Sequence, residues 1–440
     1  MSFTRRRFLQ TASLAPSLLP GLSLGAFADP PKKRPKVAAI ITAFFYRSHA
    51  HVILENFLQP YLFNGKRADP GVDLVSMYVE QQYRNDMSKP FANHFGIPVY
   101  GSIDQALCLG GSSLAVDGVI SIGEHGEYPK NDLGQVEYPR KRFFDAITGV
   151  MRRSNRFVPL FNDKHLSYSF DDAVEMYQTT QRYGIPFLAG SSVPLAQRVP
   201  EFTLPTGAID EAVSIHGGGV ESYDFHGLEV LQSLIESRPG GETGVENLEF
   251  LDGPDLMKAA AEGRWSDELL TAAMNAERSR VAGGIGREPK SNDKPSHGIL
   301  VNYTDGTKGV VASVPGSSTR WNFACRMKAS PKVHSTSYYV GPWQNRNLFK
   351  ALSHSIQQNI RTGVPPYPVE RTLLTTGILD AAMHSRHTRK QLSTPQLAIR
   401  YKPKDFRAMR EMGESWKIIT EESVAPPADD FRNGTPAGKE

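Results

Sequence analysis

The sequence predicts an α/β chain in two parts: a doubly wound parallel sheet, then an α+β domain with a mainly antiparallel sheet. Three observations lead there. Apolar runs of strand length alternate with runs of helical period from Val37 to Gly190. Beyond Pro194 that rhythm stops, and strand-like runs joined by turns of the Asp305-Gly306 type follow. Between Arg156 and Gly190 lies a complete βαβ unit. Its first apolar run ends in Asp163-Lys164-His165, its helix has Ser169 as cap with Asp171 and Asp172 in the first turn, and its second apolar run starts after Gly184. Ligands bind at the carboxyl ends of strands in an open parallel sheet, because loops and helix N-termini converge there. The unit therefore sets three ionisable side chains on a binding edge.

Taken in order, Val37–Thr42 is the first strand, and Ser48–Leu58 a helix with Ser48 as cap. Val72–Val79 is the second strand. A helix from Lys89 to Phe95, a short strand at Ile97–Tyr100 and a helix from Ile103 to Leu109 come next. Gly118–Gly123 is a fourth strand running into Glu124-His125, and Arg140–Arg152 a helix before the βαβ unit. In the second part, Glu221–Glu236 is helical around Asp224-Phe-His226, Pro254–Arg280 is a charged helical stretch, and Gly283–Ser296 a loop. Strands are expected at Gly298–Tyr303, Lys308–Val314, Trp321–Met327 and Ser335–Val340, then helices at Asn347–Arg361 and Pro368–Arg386.

A chain of 440 residues, 40% hydrophobic and 22% charged, is globular and too long for one ordinary core. Its start, Arg5-Arg-Arg-Phe-Leu, a short apolar run and Ala26-Phe-Ala28, reads as an export signal that resembles the twin-arginine type, an address rather than an anchor. The expected organisation is signal 1–28, linker 29–35, first domain 36–195, second domain 196–387, an extension 388–423 and a disordered tail 424–440, in a periplasmic protein. The formal charge of +4 falls to 4 − 3 = +1 without the signal's three arginines, so composition gives no case for nucleic acid or, once the signal is cleaved, for a membrane surface. Cys108 and Cys325, the two cysteines, are expected to be buried free thiols.

The order of elements, and the run Phe161-Asn-Asp-Lys-His-Leu-Ser-Tyr-Ser-Phe-Asp-Asp-Ala-Val-Glu-Met176 followed by Tyr183-Gly-Ile-Pro-Phe-Leu-Ala-Gly190, resemble the Gfo/Idh/MocA family of glucose–fructose oxidoreductases and inositol dehydrogenases. Phe95-Gly-Ile-Pro-Val-Tyr-Gly-Ser-Ile-Asp-Gln-Ala-Leu107 and the stretch from Asn359 through Gly363 to Arg371 agree with it. The resemblance implies a Rossmann-type domain, a second domain whose open-faced sheet serves substrate binding and oligomerisation, NAD or NADP as cofactor, and a carbohydrate substrate. The family's Glu-Lys-Pro motif falls on Asp163-Lys164-His165, giving Lys164 contact with substrate and nicotinamide. Its catalytic His falls on His226, after Gly217-Gly-Gly219.

The implied site is concrete. His226 gives or takes the proton, Lys164 polarises the carbonyl oxygen, Asp163 orients Lys164, and His165 stands beside them. Thr42, Ala43, Tyr46 and Ser48 surround the phosphates, Glu80 is the ribose acid, and Glu124 and His125 lie near nicotinamide and ribose. The glycines of Gly-x-Gly-x-x-Gly, which allow a tight turn and close approach to pyrophosphate, are replaced by Ile41, Ala43 and Tyr46. Two other readings keep the cleft without a dinucleotide. In one, Glu124, His125, Glu127, Asp163, His165, Asp224 and His226 share a rim and a metal assists a sugar lyase or isomerase, although no pair has a metal motif's spacing. In the other, Trp321, Trp343, Tyr338 and Tyr339 serve a carbohydrate-binding protein.

Overall fold

The computed structural model describes residues 33–287 and 294–427. The expected signal, most of the linker, the middle of the 283–296 loop and the chain beyond 427 lie outside them. The fold belongs to the unit Arg34–Glu440. No helix among the described residues is long and apolar enough to cross a membrane.

The first sheet holds β1 (Lys36–Ala43), β4 (Asp73–Gln81), β5 (Val99–Tyr100), β6 (Gly118–Ile122), β7 (Leu160–Asp163) and β8 (Phe187–Gly190) in the order β5-β4-β1-β6-β7-β8, with every pair parallel. A small hairpin, β2 (Tyr61–Phe63) and β3 (Lys66–Ala68), stands apart from it. Helices α1 (His49–Leu58), α2 (Ser88–Phe95), α3 (Ile103–Cys108), α4 (Arg140–Arg153) and α5 (Phe170–Tyr183) supply the crossovers. Central β1 is apolar on both faces, as a doubly covered parallel strand must be. Ser48, Ser102 and Ser169 cap their helices through their hydroxyls, and Gly184 ends α5 at φ +61°. Strand order reverses between β1 and β6, which puts the switch-point crevice at their carboxyl ends.

The second sheet has eight strands: β9 (Gln197–Val199), β10 (Ile209–His216), β11 (Val245–Asp252), β12 (His297–Tyr303), β13 (Lys308–Ser313), β14 (Trp321–Met327), β15 (Ser330–Tyr339) and β16 (Leu392–Ser393). All its pairs are antiparallel except β10 with β13. Helices α6 (Ser222–Ile235) and α10 (Glu370–Thr388) pack on one face. The charged stretch 254–280 becomes two helices, α7 (Gly253–Ala261) and α8 (Asp267–Ala282), which cover the other face with Leu256, Trp265 and Leu269 against Val213, Ile215 and Val310. The face expected to be open thus carries the chain's own helices.

Two segments return to the first sheet's domain. Helix α9 (Asn345–Thr362) lays Leu352, Ile356 and Ile360 into one core with Ile53, Leu54 and Phe57 of α1. The extension then passes back, and Pro426 O accepts hydrogen bonds from Tyr46 Oη (3.2 Å) and Arg346 Nη1 (2.5 Å). The disorder expected from residue 424 therefore does not hold for 424–427. Both cysteines are buried and free.

Candidate active site

Where the carboxyl ends of β1, β6 and β7 meet the N-terminus of α6 lies a cavity of about 340 Å³. His49, Glu124, His125, Lys164, His226 and Trp321 are among its lining residues. Four of the residues singled out in the sequence, Lys164, His226, Glu124 and His125, therefore come together. Lys164, His125 and Glu221 hold φ values of +63°, +68° and +69°. Non-glycine residues adopt that region at a cost, and such strain gathers at functional sites.

Lys164 follows β7 directly and is 3% exposed. Its Nζ donates to Glu124 Oε1 (2.9 Å) and to Ser222 Oγ at the start of α6 (2.7 Å). Glu124 Oε2 accepts from the fully buried Arg140 at 2.5 Å. Burial pushes the Glu124 carboxyl up, but Lys164 and Arg140 outweigh it and hold it well below the usual carboxylate range. Arg140 also donates to His165 Nε2 (3.0 Å), so the His165 proton sits on Nδ1, and burial with Arg140 and Lys164 drives that imidazole well below its ordinary range. His165 is thus a buried support behind Lys164. Burial, helped by His49, lowers His125 to about 4.

His226 lies in the first turns of α6. Ser191 Oγ accepts from Val193 N (3.0 Å) and lies 2.6 Å from His226 Nδ1, in a hydrogen bond that either atom can donate. With the Ser191 hydroxyl as donor, the His226 proton lies on Nε2. Burial and then Lys164 push its basicity well below normal, so the ring is neutral. Trp321 meets it edge-on at 5.5 Å and stacks on Tyr223 at 5.4 Å and 6°. An aromatic wall beside polar donors suits the apolar face of a sugar ring. Trp343, Tyr338 and Tyr339 line a neighbouring cavity of about 470 Å³.

Asp163 does not orient Lys164. Its carboxylate, 1% exposed, takes His49 Nδ1 at 2.6 Å, a partner 114 residues away in sequence. Asp224 also differs from expectation. It turns from the rim toward the second sheet, where His216 Nε2 and His297 Nε2 both lie 2.9 Å from Oδ1. These three side chains could in principle hold a metal. Gly218 N donates to His216 Nδ1, however, which puts the proton on Nε2, the nitrogen a metal would need. The trio reads as a structural hub under α6, whose N-terminus Glu221 and Asp224 close as a capping box.

The dinucleotide positions divide into two groups. At the nicotinamide end, His125 Nε2 and Ser192 Oγ are buried without a hydrogen-bond partner, and both residues face the cavity. Unsatisfied buried polar groups of this kind fit a polar ligand such as a nicotinamide. At the pyrophosphate end the glycine cradle is rebuilt from side chains. Phe45 N and His51 N donate to Ser48 Oγ, and Arg47 N donates to His51 Nδ1. Ala43 is buried within β1, Thr42 Oγ1 donates to Glu124 O (2.7 Å), and Tyr46 reaches the C-terminal extension. Glu80 is held by Arg142 Nη2, at 2.7 Å from each oxygen, and by Tyr128 Oη. Glu127 meets Gln81 through its backbone. Sequence reasoning missed His49, Arg140 and Ser222; only His49, directly after the Ser48 cap, carried a local signal.

A doubly wound parallel sheet followed by an eight-stranded mixed sheet is the arrangement the resemblance implied, and for the fold the resemblance holds. No protein-family model and no curated protein matches the sequence. Among solved structures, the chain is similar to a probable dehydrogenase of Thermotoga maritima at 11% identity and TM-score 0.51, covering 82% of this chain and 99% of that one. It is also similar to GenD2 of gentamicin A biosynthesis, solved with NAD (12%, TM-score 0.51, 82% and 97%). A third is myo-inositol 2-dehydrogenase of Lactobacillus plantarum (10%, TM-score 0.50, 82% and 99%). At these identities the likeness is one of fold.

Proposed function

We propose that the chain is an oxidoreductase that moves a hydride between NAD(P) and a hydroxyl-bearing carbon of a sugar or polyol. The observation that carries this reading is Lys164, buried with its ammonium fixed by Glu124 and Ser222, on the same cavity as the neutral N–H of His226. His125 and Ser192 would hold a nicotinamide, which would supply the hydride acceptor or donor. Lys164 and His226 Nε2 donate hydrogen bonds to the reacting oxygen, favouring the charge that develops on it. Glu124 and Arg140 keep Lys164 in place, and Trp321 with Tyr223 offers a stacking face. The solved myo-inositol 2-dehydrogenase and the NAD complex of GenD2 support this reading by likeness of fold.

The test is to denature the purified protein and look for released nicotinamide nucleotide by absorbance and mass, then to follow absorbance at the reduced nicotinamide band with a panel of sugars and inositols. Bound nucleotide and turnover support hydride transfer. No nucleotide and no thermal shift on adding one favour a second reading, a non-redox sugar enzyme or binder. The observation behind it is the pyrophosphate loop, whose amides are occupied by Ser48 and His51. We also propose export by a twin-arginine route to the periplasm, checked by fractionation of cells with Arg5, Arg6 and Arg7 replaced by Lys. Homo-oligomerisation is checked by light scattering.

A further inference from the structure

We propose that His49, oriented by Asp163, is the general base of this cavity, set in the opposite tautomer to His226. The inference rests on the reading of the cavity as a catalytic site, but not on the identity of a cofactor. His49 opens α1, its side chain is 13% exposed, and it lines the cavity. Its Nδ1 lies 2.6 Å from the buried Asp163 carboxylate. A carboxylate only accepts, so Nδ1 carries the proton and Nε2 keeps a lone pair. No group among the described residues is hydrogen-bonded to that Nε2. The ring is held edge-on by His125 at 5.1 Å and by Phe349 of α9 at 4.6 Å.

Elimination points the same way. Glu124 is spent on Lys164 and Arg140, His165 on Arg140, and His226, with the Ser191 hydroxyl as donor to its Nδ1, presents N–H rather than a lone pair. His125 is too weak a base, being lowered to about 4 by burial and His49. The charged and titratable groups facing His49 are Asp163 from β7, Glu124 and His125 after β6, Lys164 after β7, and His226 on α6. Arg47, from the loop before α1, lines the same cavity. In the step, a substrate O–H gives its proton to His49 Nε2. The imidazolium so formed stays paired with the Asp163 carboxylate, which remains ionised, as in triads where an acid fixes a histidine's tautomer. In hydride transfer, a bound NAD(P)⁺ would take up the carbon's hydride, and the proton lost as the carbonyl forms would be the one that His49 accepts. In a non-redox reaction the same base takes the proton alone.

The experiment reads tautomers before turnover. Full-length protein labelled with ¹⁵N-histidine is examined by long-range ¹H–¹⁵N correlation, with His49→Gln and His226→Gln for assignment. The expected result is a proton on Nδ1 of His49 and on Nε2 of His226. Diethylpyrocarbonate should modify His49 at Nε2, and Asp163→Asn should slow that modification at least tenfold. A His49 proton on Nε2, or a His49 that resists the reagent while exposed His387 reacts, overturns the proposal. On any substrate the wild type turns over, His49→Gln should lower kcat by about 10²- to 10⁴-fold with little change in KM, and a full-rate variant overturns the base role. A wild type inactive on the whole panel that still shows the opposed tautomers sinks only the hydride-transfer reading.

Discussion

The two ends of one sheet edge have been treated differently. At the β6–β7 end, polar groups outnumber the partners the protein gives them. His125 Nε2 and Ser192 Oγ are buried and unpaired, and His49 Nε2 has no hydrogen bond among the described residues. At the β1–α1 turn, the backbone amides that a dinucleotide's phosphates would take are turned inward to Ser48 and His51, and Glu80 beyond them is clamped by Arg142. An identical strand-and-helix frame therefore supports two outcomes. Backbone geometry creates a crevice, but side-chain satisfaction decides which part of it still seeks a ligand.

The largest expected break of that contrast is Lys164→Met. Loss of the ammonium should cut turnover by about 10³-fold, the scale of one preorganised donor. Stability should fall much less, since Glu124 keeps Arg140. Steady-state kinetics beside a urea melt separates the two, and a variant that keeps its rate removes Lys164 from the chemistry. Arg140→Met should do the reverse. It strips a wholly buried cation from Glu124 and His165, and losing one partner of a buried pair costs about 3–5 kcal/mol. A urea midpoint close to wild type would show that Lys164 alone satisfies Glu124.

Acid should sharpen the picture, because each end holds a histidine that folding keeps neutral. Burial, then His49, lowers His125 to about 4, and burial, then Arg346, lowers His51 to about 3. An unfolded histidine titrates near 6.5. Between about 6.5 and 4 the unfolded chain therefore binds more protons, and stability drops as pH falls through that window. Glu221 and Glu229, raised by burial, act in the opposite sense, so the difference between variants is the clean readout. His125→Gln and His51→Gln should each lose less stability than wild type between pH 7 and 5, by urea midpoints. Equal losses would mean that neither imidazole is held neutral.

Much of the first domain was legible because several βα units carry their own punctuation, such as Ser48 and Ser169 before helices and Gly184 after one. The second sheet was less so. Strands β10 and β11 escaped because Asp210, Glu211, Glu246 and Glu249 break their apolar run, and the groups that satisfy Glu211 and Glu249 come from far along the chain. Glu211 is met by Ser266 N and Arg326, Glu249 by Arg264. The same distance effect governs the site. Lys164, Glu124, His125 and His226 could be placed from strand ends and a helix start. That Asp163 serves His49, or that Asp224 turns to His216 and His297, is decided by packing between elements that sequence spacing does not encode.

The smallest effect tests the quiet end directly. Ser48 Oγ takes two backbone N–H groups, those of Phe45 and His51, so Ser48→Ala removes an N-cap and should cost about 1–2 kcal/mol. Its kinetic consequence depends on what the turn does. If the β1–α1 turn is only a self-contained cap, turnover on a working substrate stays within about twofold once the protein is folded, and the nucleotide's KM is unmoved. If the turn instead opens to receive pyrophosphate, the freed amides of Phe45 and His51 become available donors, and the KM for NAD(P) changes while kcat does not, the mark of binding felt equally in ground and transition states. A change in kcat with no change in KM would contradict both and would tie the turn to the chemistry through His49, the residue next to Ser48 in the chain.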